Sequence, residues 1–467
     1  MTVAVIAVLA ASTVLLIALK DNGGENPTSS DTASSNASAD RHYFFDYAKE
    51  DIATVEITNE YGTYTLKRIY ESESSRIVLV GNEEETIFPS TASAAFNSAV
   101  TISSTTLVSE DSSKLAEYGL NAPSITVKTT LNDGTVRVLN IGIESPSGGY
   151  YVNTSELSDV YLITSYAASN FQYARTDYYP LDLFGTYESL SFTGLTVHRP
   201  DYDIDDIRLS DEDYEAAVDA AEANIKSQLE LASPFKFDVN SVYMDDLVKA
   251  ISGLQADEVV SDDMSESSLA SYGLDASART LLIKNDGKKL IIGNKDEQKG
   301  VYYVMLDGRR VVYAVSAESL AFIEDGADRY AYTMIGLVAL KNVKTLVIET
   351  ANKTYEFVCS DVEDLQYLEV TCGGKELPPD EFKKLYQQIF SATQNGLAEK
   401  PESDLFMRIT YNKKDGTKSV IEYYKIDMTR YYAEVNGVGY FSVKSDMVEK
   451  IPADCERILN GEIITLV

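Results

Sequence analysis

The chain has 467 residues, 44 % hydrophobic and 24 % charged, with 73 acidic against 40 basic side chains and a formal charge of −33. That length exceeds what one hydrophobic core serves, and the apolar share excludes disorder along the whole chain, so several folded domains are expected. An acidity of this size repels the phosphates of nucleic acid, which is excluded as a partner.

The first element in chain order is the uncharged run from Thr2 to Leu19, rich in Val, Ile, Leu and Ala. As a helix it would be roughly 27 Å long, close to the hydrocarbon thickness of a bilayer. Its first charge is Lys20, and the nearest small-x-small cleavage pattern, Ala37-Ser38-Ala39, lies far downstream. The expectation is therefore an uncleaved transmembrane anchor over 1–20, with the membrane as a partner, rather than a secretory signal. No cysteine follows the run, which argues against a lipoprotein anchor, and the missing basic n-region suggests a start further upstream. Residues 21–40 are Asn, Gly, Ser, Thr, Ala and Asp with one Pro, the composition of a flexible polar stalk. Anchor, stalk and a large acidic body together predict a single-pass protein of the cell membrane with its body outside the cytoplasm.

Beyond the stalk the chain repeats itself. Leu115-Ala-Glu-Tyr-Gly-Leu120 returns as Leu269-Ala-Ser-Tyr-Gly-Leu274, and Asp133-Gly134, Tyr150-Tyr151 and Val160-Tyr161-Leu162 return in step as Asp286-Gly287, Tyr302-Tyr303 and Val312-Tyr313-Ala314. A divergent third copy keeps Asp415-Gly416, Tyr431-Tyr432 and Gly439-Tyr440-Phe441 in the same order but lacks the Tyr-Gly-Leu element. Each copy is entered through a related segment, at Arg41 to Tyr43, Arg175 to Tyr178 and Arg329 to Tyr332. An alternating strand follows each entry, at Val55 to Ile57, Leu195 to Val197 and Leu346 to Ile348. These landmarks predict module 1 over 41–174, module 2 over 175–327 and a divergent module 3 over 328–467.

Within the modules, Gly119 and Gly273 suit a left-handed helix stop that would bring Leu120 against Leu115 and Leu274 against Leu269. The Asp-Gly pairs between alternating runs predict tight hairpins. Met244, Leu247, Val248, Ile251 and Leu254, and again Phe382, Leu385, Ile389 and Phe390, mark amphipathic helices. An inserted helix is expected in module 2 from Asp213 to Leu229. Strands and helices grouped this way predict an α+β class: a transmembrane helix, then three tandem modules of antiparallel strands with helices.

Residues able to do chemistry are sparse. There is no phosphate-binding Gly-rich loop, dinucleotide fingerprint, zinc-protease helix, nucleophile elbow or Cys-x-x-Cys pair. His42 and His198 lack the neighbours of a triad. Asp201, Asp203, Asp205 and Glu212 match part of a calcium-loop spacing, but Asp206 stands where the loop needs Gly, so a solvated loop is the better account. Asp245-Asp246 and Asp262-Asp263 read as helix caps and surface. Cys359, Cys372 and Cys455 lack metal-ligand spacing, and the one plausible bridge joins Cys359 to Cys372. The 32 tyrosines recur in doublets at equivalent repeat positions, which fits strand residues shared between core and solvent better than a sugar-stacking face. No catalytic, cofactor-binding or metal residue is assigned, and no cofactor is expected.

Leu-x-x-Tyr-Gly-Leu, the Asp-Gly hairpin, the Tyr-Tyr strand and the closing Val-Tyr-Leu strand together resemble the bacterial domain of unknown function 4340 family, from about Asp51 to Phe171 and from about Leu195 to Ile323. The resemblance implies a surface-facing component associated with ABC-type transporters and gliding-motility auxiliary proteins, with no catalytic residues to carry over. The expectation is a non-enzymatic accessory or scaffold protein beside an ABC-type permease. The alternatives are a cell-surface binding module for glycan or another polymer, and a hydrolase built on paired carboxylates.

Overall fold

A computed structural model describes residues 41–71, 74–200, 207–210 and 226–466. Three large antiparallel sheets dominate it. The first runs in spatial order Ser75–Leu79, Gly62–Tyr70, Ile52–Asn59, Ile125–Leu131, Val136–Glu144, Tyr150–Thr154, Val160–Ile163, Thr106–Ser109. The second runs Phe237–Asn240, Lys226–Ser233, Ile207–Ser210, Gly194–His198, Arg279–Ile283, Lys289–Asp296, Val301–Leu306, Val312–Ser316, Glu258–Ser261. The third runs Lys375–Leu377, Val370–Cys372, Thr354–Cys359, Val343–Thr350, Leu405–Lys413, Lys418–Lys425, Arg430–Val435, Val438–Lys444, Gln394–Leu397. Numbered within each module, the second and third sheets share the order 4-3-2-1-6-7-8-9-5, and the first is the same order without its fourth strand. A fourth, two-stranded sheet pairs His42–Asp46 with Thr101–Ser104.

These findings correct the α+β expectation. The described chain is mostly antiparallel sheet with few helices, and among the described residues no helix is long and apolar enough to cross a membrane. The physical reason is that strands such as Gly62–Tyr70 and Lys226–Ser233, whose buried alternation is limited to Tyr64 and Leu66 and to Leu229 and Leu231, are held in the sheets by ladder hydrogen bonds to their neighbours. The transmembrane helix expected over 1–20, the stalk expected over 21–40 and the loop expected from Asp201 to Asp206 lie outside the described residues. The helix expected from Asp213 to Leu229 is corrected where it can be: its last residues belong to the Lys226–Ser233 strand.

Each module has one helix between its edge strands, and each helix packs its apolar stripe on the sheet. Pro89–Val100 buries Ala92, Ala95, Phe96, Ala99 and Val100, Ser241–Ile251 buries Met244, Leu247, Val248 and Ile251, and Pro379–Ser391 buries Phe382, Leu385, Tyr386 and Ile389. Two of the starts have Pro at the first turn, where its missing N–H costs nothing, and in the third Asn240 accepts from the Tyr243 N–H at 3.2 Å. Full burial of a ring such as Phe96 contributes about 2–3 kcal/mol, so these stripes fix the helices far more strongly than their lengths would alone. The opening strands place Val55 and Ile57, Leu195 and Val197, and Leu346 and Ile348 in one continuous core.

The repeated sequence landmarks are structural devices. The Leu120 N–H reaches the Leu115 carbonyl at 2.9 Å and the Leu274 N–H reaches Leu269 at 2.9 Å, with Gly119 and Gly273 at φ of 70° and 71°. Each turn then seats on a glycine of the neighbouring strand. A Cβ on Gly142 would stand 2.0 Å from the Tyr118 carbonyl oxygen, and one on Gly293 would stand 2.1 Å from that of Tyr272. The motif tyrosines pack on the doublets, Tyr118 on Tyr151 at 4.8 Å and Tyr272 on Tyr303 at 4.9 Å. At the hairpins, the Asp133, Asp286 and Asp415 carboxylates each accept from the N–H two residues on, at 2.8, 3.2 and 2.8 Å.

Candidate functional site

A connected set of polar contacts lies between the first two modules. Where the first sheet meets the second, the loop after Ser75–Leu79 enters a turn of the Arg175–Tyr178 segment and the hairpin carrying Arg309 and Arg310. Glu85, 4 % exposed, receives the Arg309 Nε–H at 2.5 Å on one carboxylate oxygen and the Arg310 backbone N–H at 2.6 Å on the other. Asn82, 2 % exposed, accepts from Arg310 Nε at 3.1 Å and donates to the Arg310 carbonyl and the Tyr179 hydroxyl, both at 3.0 Å. Tyr179 donates its O–H to Asp262 Oδ2 at 2.6 Å, the same oxygen that takes the Arg175 Nε–H at 2.5 Å. Arg175 closes the circuit on the Val80 carbonyl at 3.1 Å.

Beside this network the first entry tyrosine is anchored in module 1. The Phe88 N–H donates to the Tyr178 carbonyl at 2.6 Å, and the Tyr178 hydroxyl meets that of Tyr64 at 3.3 Å. Tyr64 donates to the Tyr173 carbonyl at 3.0 Å, which leaves its oxygen to accept from Tyr178. Burial pushes the Tyr64 hydroxyl up to about 12 and raises Tyr178 and Tyr179 further above the ordinary tyrosine value. Tyr313, fully buried near Arg309 and Glu85, is pushed up to about 12, chiefly by burial.

The joint between the second and third sheets is built differently. Phe235 stacks on Tyr440 at 5.1 Å and Phe237 packs on Phe441 at 4.6 Å. Tyr440 holds φ at 90°, a region a bulky side chain rarely adopts, so the joint fixes a strained residue. The Tyr332 N–H donates to the Asp238 carbonyl at 2.8 Å, Val239 bridges Ala331, and Gln394 Nε2 donates to the Asp328 carbonyl at 2.8 Å. Arg199, 2 % exposed, donates Nη1 to the Asp325 carbonyl at 2.9 Å, while the Tyr243 hydroxyl donates to the Asp325 carboxylate.

The entry segments thus serve one purpose in each module. His42–Asp46 pairs with Thr101–Ser104, Ala256 and Leu183 exchange backbone hydrogen bonds with Leu181 and Leu254, and the Gln394 N–H donates to the Thr333 carbonyl. In module 1 the entry strand, and in modules 2 and 3 the chain just after the entry segment, lies along the segment that follows the module's helix.

The structure scatters the other residues weighed in the sequence. His42 stacks on Tyr161 at 4.6 Å, and His198 ends the Gly194–His198 strand. Cys359, Cys372 and Cys455 are buried free thiols, and burial pushes Cys359 up to about 11. Asp245 and Asp246 are exposed on the Ser241–Ile251 helix. Of the Asp262-Asp263 pair, Asp263 accepts from the Ser265 N–H at the start of a helix, whereas Asp262 is the acceptor at the first joint. The doublets are divided between core and surface: Tyr178, Tyr179, Tyr302, Tyr423, Tyr431 and Tyr432 are buried, whereas Tyr150, Tyr151, Tyr303 and Tyr424 are half-buried. Among the described residues no group of three or more His, Cys, Asp or Glu is placed to hold a metal ion.

The cavity nearest to a paired-carboxylate arrangement, about 670 Å3, is lined by Asp275, Glu297 and Glu324. Glu324 takes the Arg279 guanidinium at 2.5 Å and the Tyr302 hydroxyl at 2.7 Å, and the Ser277 hydroxyl and N–H hold Asp275 below the usual carboxylate range. A carboxylate held in its charged form is the opposite of a general acid.

The sequence model of one family, the domain of unknown function DUF4340, matches residues 89–260 and 230–405. The chain belongs to the DUF4340 family. The two matches overlap and run through all three sheets, as a tandem repeat requires. No curated protein and no solved structure matches the chain. In this DUF4340 chain the joint residues Asn82, Glu85, Asp262, Arg309 and Arg310 carried no sequence motif. The usable signals were an Arg-Arg doublet in an acidic chain and a Tyr-Tyr doublet at a module boundary.

Proposed function

We propose that this DUF4340 chain is a non-enzymatic accessory scaffold that works outside the cytoplasm, at the cell membrane, beside an ABC-type transport system. The observation that carries the reading is the first joint, where every carboxylate is occupied by an arginine, a backbone N–H or a tyrosine hydroxyl. Groups so engaged hold position; they are not free to exchange protons with a substrate. Two different joints, one polar and one aromatic, set three repeated sheets at fixed places along the chain. That is what a scaffold needs, and the acidic surface keeps such a body hydrated and away from nucleic acid.

The test is isolation of the tagged full-length chain from its native membranes in mild detergent, followed by mass spectrometry of what comes with it. The expected companions are a permease and its ATPase subunit in near-stoichiometric amount. Recovery of the chain in the soluble cytosolic fraction, or from membranes with no transport component attached, contradicts the reading.

A further inference from the structure

One end of the module 1 core stays open where its counterpart in module 3 is closed. Val55 pairs with Leu66 and Leu346 with Phe357, so two residues on, Arg68 holds the place of Cys359. Opposite these two stand Ile77 and Val370. In module 3 the next connection, residues 360–369, buries Leu368 in the core and packs Val362 against it. Module 1 has only residues 71–74 there, a hairpin turn with no length to send a side chain back into the core. A cavity of about 330 Å3 is left, lined by Arg68, Ser75, Ile77, Ile87, Pro89 and Ser93.

Into this end of the core Arg68 brings a charge. It is half-buried, and its guanidinium lies over the fully buried Phe96 ring of the Pro89–Val100 helix at 4.9 Å. Arg76, Arg137, Arg175 and Arg309 each reach a carboxylate, but among the described residues Arg68 reaches none. Its Nη1 donates to Ser75 Oγ at 3.4 Å, a long bond, and its Nε is buried with no hydrogen-bond partner. Glu85 lines the same cavity, but its oxygens are taken by Arg309, the Arg310 N–H and the Thr86 N–H. A half-buried cation with an unused donor and apolar walls beside it is matched by a ligand with one carboxylate and a short hydrocarbon body.

We propose that this cavity binds an apolar carboxylate. The carboxylate receives the Arg68 guanidinium, and the hydrocarbon lies against Ile77, Ile87 and Pro89, in the place that Leu368 fills in module 3. An inorganic anion would meet the guanidinium but leave the apolar walls wet, so an organic acid is the class that fits. The same chemistry is carried by a free short-chain acid and by the terminal carboxylate of a polypeptide that ends in Leu, Ile or Val, and the test separates the two.

The experiment is calorimetric titration of the purified full-length chain with isocaproate, its neutral amide, inorganic phosphate, and a short peptide ending in leucine. Isocaproate is expected to bind, and the amide to bind about tenfold or more weakly, since it loses the charged pair. Arg68→Met, which keeps the hydrocarbon stem and removes the charge, is expected to lose binding while unfolding at or above the wild-type temperature. The comparison of acid with amide is made on the wild type and stands even where Arg68→Met fails to fold. A peptide that binds more tightly than the free acid assigns the site to a polypeptide end, and the reverse assigns it to a small metabolite; either supports the proposal. Equal binding of acid and amide, phosphate binding more tightly than the acid, no binding by either carboxylate, or binding unchanged in Arg68→Met overturns it.

Discussion

Tyrosine is the residue through which this chain most visibly trades sequence for structure. With 32 Tyr and no Trp, the rings that fill the core bring hydroxyls with them. Some find partners, as Tyr179 does on Asp262 and Tyr386 on the Val338 carbonyl at 2.7 Å. Burial raises Tyr64 and Tyr313 to about 12 and Tyr411 and Tyr423 higher still. A tyrosine in the unfolded chain ionises near pH 10, so above that the unfolded state sheds protons the folded state keeps. The stability these groups lend is complete below pH about 10 and is lost as pH rises through their folded values. The part of the tyrosinate absorbance that belongs to the buried rings is expected to appear together with the loss of circular dichroism, in one cooperative step between pH about 10 and about 12; ionisation of all tyrosines near pH 10 with the fold intact would contradict this. Glu85 makes a second case. Glu85→Ala leaves the Arg309 guanidinium at a half-closed joint without its carboxylate, at an expected cost on the order of 2 kcal/mol in chemical denaturation.

At the scale of elements, the Tyr-Gly-Leu repeat is a clasp. Its carbonyl sits so close to Gly142 in module 1 and Gly293 in module 2 that a methyl group has no room. Gly142→Ala and Gly293→Ala should each destabilise by about 1–3 kcal/mol, while Ala at Gly148, where nothing stands within 4 Å, should cost less than at Gly142 despite its positive φ. Thermal unfolding of the three variants checks the order. The clasp, the Asp-Gly hairpins and the apolar stripes of the Ser241–Ile251 and Pro379–Ser391 helices were legible because each depends on residues a few positions apart. The sheet content was not. Lys226–Ser233 owes its strand state to pairing with Ile207–Ser210 and Phe237–Asn240, which no local period reveals, so helix was expected there and β was found. The first joint was illegible for the same reason at longer range: Glu85 and Arg309 come together only through the arrangement of two whole sheets.

Over the whole molecule, one strand order used three times yields a chain of sheets, and at or just after each entry the chain lies along the segment that follows the module's helix. Repeats of this kind draw stability from their own cores and from nearest-neighbour contacts, so the joints decide whether the array is a rod or beads on a string. The two joints rest on different physics, charged hydrogen bonds at the first and stacked rings at the second. The most direct test is hydrogen exchange at the backbone amides of Val80 to Glu85 and Arg175 to Tyr179 in the intact chain. A fixed scaffold predicts protection there approaching that of the Ile52–Asn59 and Val343–Thr350 strands, lost on Glu85→Ala. Exchange as fast as in the exposed hairpin loops would mean that the sheets move independently, and the scaffold account would fall.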